Sequence, residues 1–278
     1  MTNKIKIVSA IYYPSIDRKV LAQIIKSNIE LVRLGFLFKD YKTYIDLIKE
    51  IRKSESGIVL DLPSQDIKLG KMQNNSQELL GQDLIFVAAN SDLADINIAD
   101  LDYKVLPVSD RIKSGHLIKS DRIFINNGLV RLLVDRIEDN LIYAKVIQGG
   151  LAQTNNNVIV AGYISNMKFL DKDIVAAINL KTDYLSLLIS DVTELKRIKK
   201  ILANSLSSGK KIATKLIVRL ESLAQVKSIM DLVKLADGLF IDHQRLSWQV
   251  PEIKLAMIEK ELADKCHSID KEVLSSLN

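Results

Sequence analysis

The sequence predicts an α/β fold: a parallel sheet or (β/α) barrel interrupted by a small antiparallel β domain. Three observations predict it. Apolar strands alternate with amphipathic helices at the start of the chain and again after Gly162, the order that gives parallel strands with right-handed crossovers. From about Gly70 to Gly162, short strand candidates instead follow one another closely, with turn residues between them. Only 11 Gly and 4 Pro in 278 residues leave little room for a loop-built architecture.

Each element has its own warrant. Residues 4–11 (KIKIVSAI) are rich in β-branched side chains and read as a first strand; Pro14 and Ser15 interrupt it. Ser15 or Asp17 is placed to cap a helix over 18–27. Residues 29–38 are strand-like, with Gly35 giving room near the end. Tyr44, Leu47, Ile48 and Ile51 recur at helical spacing over 41–53. Residues 57–62 form a short apolar strand holding one acid, Asp61. In the middle third, strands are expected at 84–88, 122–125, 130–134, 141–147 and 158–160. Asn127-Gly128 signals a hairpin, because both residues tolerate positive φ. After Gly162 come a helix over 170–180 capped by Asp171, a strand at 184–189, a helix at 192–205 and a strand at 215–220. A helix at 222–235, a strand at 238–241 and a helix opened by Pro251 and running to about 266 complete the series. The polar tail from 268 onward adds at most a turn or two. About six parallel strands result, where a complete (β/α) barrel has eight.

Composition bounds the function. Apolar residues make up 47% and charged residues 26%, the balance of a globular domain. The net charge of +5 admits an anionic partner but is ordinary for a lysine-rich surface. The tightest basic cluster, Lys196 to Lys200, reads as the outer face of a helix and has no interleaved aromatics, so a nucleic-acid role is not expected. The single cysteine, Cys266, excludes an intrachain disulfide and a cysteine zinc cage, and its helical setting favours a buried structural thiol. No window reaches the roughly 20 apolar residues of a membrane span, and the opening apolar run is too short for a secretion signal. A cytoplasmic location is expected.

Function is sought in residues 216–251. There an apolar strand ends in Arg219 and Glu221, a helix follows, and a second strand leads into Asp242, His243 and Arg245. Residues just past parallel strand ends collect at one rim, where chemistry sits in such folds. His243 is placed to bind phosphate. His116 and His267 share no metal-ligand spacing with it or with Cys266, and no Walker or Rossmann glycine loop is present.

Several stretches together resemble the pyruvate kinase family. Residues 6–15 are similar to its opening KIVATIGPAS, and VRLGFLF (32–38) to its ARLNFSH. LDLPSQDIKLG (60–70) aligns without a gap on LDLKGPEIRTG, and INNGL (125–129) resembles IDDGL of the family's inserted β domain. Gly149-Gly150, Glu221, Ala236-Asp237-Gly238, Leu246 and Pro251 continue the likeness over essentially the whole chain. It implies an incomplete TIM-type barrel in two parts, 1–70 and 165–278, with a small antiparallel β-barrel domain inserted at 71–164. Relative to the family, the last two barrel strands and a C-terminal regulatory domain are missing. An open barrel edge is then expected, covered by a homo-oligomer, a partner chain or the tail 268–277.

The resemblance also implies transfer of a phosphoryl group from phosphoenolpyruvate to ADP with Mg2+ and K+. Arg33 matches a phosphate-binding arginine, Asp61 a potassium ligand and Glu221 one of two carboxylates that hold the divalent metal. The departures are pronounced. Gly35 and Leu37 stand where the family has the other side-chain potassium ligands. Lys68 replaces an arginine, losing its bidentate fork. Arg219 replaces the lysine beside the transferring group, and Arg245 replaces the second metal-binding aspartate. Trp248 stands where the family has a small loop residue, and is expected to pack on the barrel or fill the emptied site. Either Asp242 supplies the missing carboxylate, or Arg245 pairs with Glu221, whether as a purely structural salt bridge or together with Arg33, Lys68 and Arg219 as a cationic phosphate cradle. The expectation is a degenerate family member with little or no catalysis that either keeps an anionic site for a phospho-ligand such as phosphoenolpyruvate or a nucleotide or acts as a subunit or scaffold. The alternative is a functioning kinase holding Mg2+ between Glu221 and Asp242.

Overall fold

A computed structural model of the chain describes residues 4–11, 21–23, 26, 27, 29–35, 41–62, 67–72, 74–89, 93, 102–109, 112, 117–138, 141–160, 169–206 and 214–276. Half of the helix expected at 18–27, together with Leu37 and His116, falls outside them. The chain forms two compact units, 1–64 with 166–221 and 225–278, and 65–165 with 222–224.

The first unit is a closed barrel of seven strands. Its strands are β1 (Lys6–Ile11), β2 (Leu31–Gly35), β3 (Gly57–Asp61), β13 (Tyr184–Leu187), β14 (Lys215–Leu220), β15 (Gly238–Ile241) and β16 (Glu272–Ser276). All seven neighbour pairs are parallel. Val8, Leu31, Val59, Tyr184, Ile217, Phe240 and Leu274, one from each strand, pack together as the barrel's core. Burying each side chain stabilises the fold by roughly 1.5–3 kcal/mol.

The barrel has no open edge, which corrects the six-strand expectation. The seventh strand is the tail segment EVLSS, which slots between β1 and β15. The chain's own tail thus covers the edge. It escaped the strand count because only Val273 and Leu274 are apolar. Its polar residues are satisfied locally instead. Glu272 pairs with Lys6 at 3.3 Å and with Lys215, and accepts a hydrogen bond from the Tyr184 hydroxyl at 2.8 Å. Ser276 Oγ accepts from the His243 amide at 3.0 Å. Gly238 lets β15 approach closely, since a Cβ there would lie 2.3 Å from the Glu272 carbonyl oxygen.

Helices follow the sequence periods: α1 (Tyr41–Ile51), α2 (Asp171–Asn179), α3 (Val192–Leu206), α4 (Ile229–Leu235), α5 (His243–Ser247) and α6 (Glu252–Ser268). Leu170, not Asp171, is the N-cap of α2, and it makes no side-chain capping bond; the Asp171 carboxylate pairs with Arg197 instead. The helix expected at 222–235 divides into a 3-10 turn, Leu223–Lys227, and α4. On α3, Lys196, Lys199 and Lys200 are exposed while Leu195 and Ile198 are buried, so the basic cluster is the helix's outer face. Cys266 is buried in α6. No described helix is long and apolar enough to cross a membrane.

The second unit holds a seven-stranded sheet and a two-stranded one. In chain order its strands are β4 (Ile67–Lys68), β5 (Ser76–Leu79), β6 (Leu84–Ala89), β7 (Lys104–Val108), β8 (Arg122–Ile125), β9 (Val130–Glu138), β10 (Leu141–Gln148), β11 (Gly150–Gln153) and β12 (Asn157–Val160). An antiparallel bridge between Leu69 and Val108 brings the first and last strands of the larger sheet together, nearly closing it. The β8–β9 hairpin turns through Asn126, Asn127 and Gly128, all at positive φ. The unit is not wholly antiparallel, because β6 and β7 run parallel. Sequence reading missed β4, β5 and β11, which are brief or half polar, and β7, whose run is interrupted by Pro107.

Candidate functional site

The strand ends of the barrel converge six charged side chains. Arg33 lies within β2 and Asp61 ends β3; Arg219 is the penultimate residue of β14 and Glu221 follows it; Asp242 follows β15 and Arg245 lies in α5. Arg33 Nε donates to Asp61 Oδ2 at 2.7 Å and its Nη1 to Asp242 Oδ2 at 2.8 Å. Its Nη2 is 3.9 Å from Glu221 Oε1, and its guanidinium lies 4.8 Å from the centre of the Phe240 ring. Arg219 Nη1 is 2.7 Å from Asp61 Oδ1, and its Nε 2.6 Å from Glu221 Oε1. These last two are charge contacts without hydrogen-bond alignment. Arg245 Nη1 is 3.2 Å from Glu221 Oε2.

Neighbouring amides hold the backbone that carries these groups. Gln225 Oε1 accepts from the Glu221 N–H at 2.9 Å, and its Nε2 donates to the Arg219 carbonyl at 3.3 Å. Gln249 Nε2 donates to the carbonyls of Glu221, at 2.7 Å, and Arg245, at 3.0 Å. Asp242 Oδ1 accepts from the Arg245 N–H at 3.2 Å, making it the N-cap of α5. Neither glutamine stood out in the sequence, since a buried amide that braces a strand end has no motif of its own.

The site is buried and electrically balanced. Side chains of Arg219 and Asp242 are 3% exposed, and Arg245, the most open of the six, 19%. Burial works against ionising Asp61, but Arg219 and Arg33 outweigh it and hold the carboxyl below the ordinary aspartate range. Burial likewise opposes the charge on Arg33; Asp61, Asp242 and Glu221 overcome it and raise its pKa. Among the described residues of the barrel, three guanidiniums therefore face three carboxylates at this rim.

Three other residues named from the sequence have local settings of their own. His243 opens α5 and pairs through Nδ1 with Glu259 Oε1 of α6 at 2.8 Å. Lys68 belongs to the second unit, where it is exposed on β4 and its amide donates to Ser109 Oγ at 2.9 Å. Trp248 is the C-cap of α5 and half-buried.

The family model described as "Pyruvate kinase, barrel domain" matches residues 2–278. The chain belongs to the pyruvate kinase family. Among curated proteins it is similar to the pyruvate kinase of Clostridium perfringens (strain 13 / Type A), 24% identical over 285 residues that cover 98% of this chain and 58% of that protein. It is also similar to the pyruvate kinase of Bacillus licheniformis, 26% identical over 295 residues, with 98% and 47% covered. The pyruvate kinase of Buchnera aphidicola subsp. Schizaphis graminum (strain Sg) is 27% identical over 277 residues, with 95% and 56% covered. The chain spans about half the length of the curated relatives it matches.

Pyruvate kinase chemistry with Mg2+ needs carboxylate oxygens open to the ion. Both oxygens of Glu221 and both of Asp61 already lie against guanidiniums, and one of Asp242 does. No group of three or more His, Cys, Asp or Glu side chains placed to hold a metal occurs among the described residues. The residues present therefore do not fit Mg2+ at Glu221 or K+ at Asp61.

Proposed function

We propose that this chain is a pyruvate kinase-family barrel that does not carry out magnesium-dependent phosphoryl transfer from phosphoenolpyruvate to ADP. The observation that carries the reading is the guanidinium of Arg245 on Glu221 Oε2, with Arg219 on Oε1 of the same carboxylate. A metal bridging substrate phosphates is the main source of charge neutralisation in phosphoryl transfer. Here fixed guanidiniums are already spent on the protein's own carboxylates. A cytoplasmic setting accords with the single buried thiol.

The deciding experiment is a coupled assay of purified protein with phosphoenolpyruvate, ADP, Mg2+ and K+. The expected result is no turnover above that of Glu221→Ala. Turnover that survives rigorous removal of host enzyme and disappears in Glu221→Ala sinks the reading.

A second reading, a retained phospho-ligand site, draws on the partial exposure of Arg245, whose contact with Glu221 an anion would compete for. It predicts that phosphoenolpyruvate or a nucleotide raises the melting temperature without added Mg2+, and that Arg33→Ala abolishes the shift. No shift with either ligand leaves a structural or subunit role, which gel filtration would test through a defined oligomer.

A further inference from the structure

The three rim arginines differ in how they are held. Arg33 and Arg219 project from barrel strands. Arg245 comes from the short helix α5, is the most open of the three, and meets Glu221 Oε2 at 3.2 Å. Its backbone is nevertheless fixed at both ends, by Asp242 on its N–H and Gln249 on its carbonyl. A long cation is thus delivered to Glu221 Oε2 from a backbone braced on both sides.

We infer that the Arg245 guanidinium is a built-in counter-ion, occupying at Glu221 the place a divalent cation would take. This deepens the non-catalytic reading and rests on it. With Arg245 present these six described side chains sum to zero charge, so a divalent ion entering among them would meet no net attraction, and the oxygens of Glu221 and Asp61 are already against guanidiniums. Changing Arg245 to aspartate leaves two guanidiniums against four carboxylates. The resulting charge of minus two is what one divalent ion neutralises, and carboxylate oxygen is the donor type that hard divalent ions select.

The test is Mn2+ binding, followed by the paramagnetic resonance of free Mn2+ at neutral pH, for wild type, Arg245→Asp, and Arg245→Asp combined with Glu221→Gln. Wild type is expected to show no Glu221-dependent binding. Arg245→Asp is expected to bind one Mn2+ per chain at least about tenfold more tightly, as removal of a like charge and addition of a ligand predict. The double variant should lose that gain. A folded Arg245→Asp that binds no better than wild type overturns the inference. So does wild-type binding that Glu221→Gln abolishes. If Arg245→Asp does not fold, Arg245→Gln decides: Mn2+ should raise its melting temperature and leave that of wild type unmoved, and equal shifts overturn the inference. Failure here is separable from failure of the parent reading. An inactive wild type that binds Mn2+ through Glu221 refutes only the counter-ion role, whereas wild-type turnover refutes the parent.

Discussion

Arg33 Nη1 and Asp242 Oδ2 meet at 2.8 Å although 209 residues separate them in the chain. Their strands, β2 and β15, are not neighbours in the barrel; β1 and β16 lie between them. The bond therefore ties opposite parts of the strand-end rim to each other, above the Phe240 ring.

Asp242→Ala should accordingly cost more than a surface ion pair. Arg33 would keep Asp61 but stay buried with one partner fewer, and α5 would lose its N-cap. Breaking a buried pair from one side costs about 3–5 kcal/mol, and a lost cap about 1. Urea unfolding monitored by circular dichroism checks this; a loss below about 1 kcal/mol would show the pair to be idle.

Asp61 gives the rim a signature in pH. Its folded pKa is lowered from 3.8, so its contribution is whole above that value and is lost as pH falls through the folded one. The stability gap between wild type and Asp61→Asn should be constant from neutral pH down to about 5 and shrink as the medium becomes more acid than the ordinary aspartate value. Unfolding curves over a pH series measure it, and a gap that widens on the acid side would contradict the assignment.

Gly238→Ala should be disproportionately harmful for one methyl group. The added Cβ meets backbone, the Glu272 carbonyl, at 2.3 Å, and backbone cannot swing aside as a side chain can. Overpacking of this kind costs about 1–3 kcal/mol. The damage should be local, so hydrogen exchange is expected to speed up first in β16 and in the strand edges it covers. Uniform acceleration across all seven strands would argue for a different cause.

The Cys266 thiol, pushed up to about 11 by burial, should be unreactive toward an aromatic disulfide reagent at pH 8 and titrate fully in denaturant. Rapid native labelling would show that α6 opens readily.

The alternation of strands and helices was legible because each apolar run of the barrel is short, continuous and bounded, as at Tyr184–Leu187 and Gly238–Ile241. The last strand was not, because its five residues include two terminal serines and a glutamate whose partners, Lys6, Lys215 and Tyr184, lie on other strands. Site residues were legible by position, since Glu221 and Asp242 directly follow such runs. Their pairing was not. Nothing local distinguishes an arginine that meets phosphate from one that meets Glu221, and only closure of the barrel brings Arg33 to Asp242. The carboxylate partners of the arginines were illegible for the same reason: a sequence lists its arginines but does not show which carboxylates they face.

Closure by β16 also sets a clock on synthesis. Lys6 and Glu272, which meet at the opposite end of the barrel from the arginine rim, are 266 residues apart. At ~5–20 residues per second, β1 waits between roughly 13 and 50 s on the ribosome before the strand that covers its free edge has been made. Through that interval the edge is open to any extended chain within reach, so the nascent protein has a window of vulnerability to aggregation that the finished barrel does not.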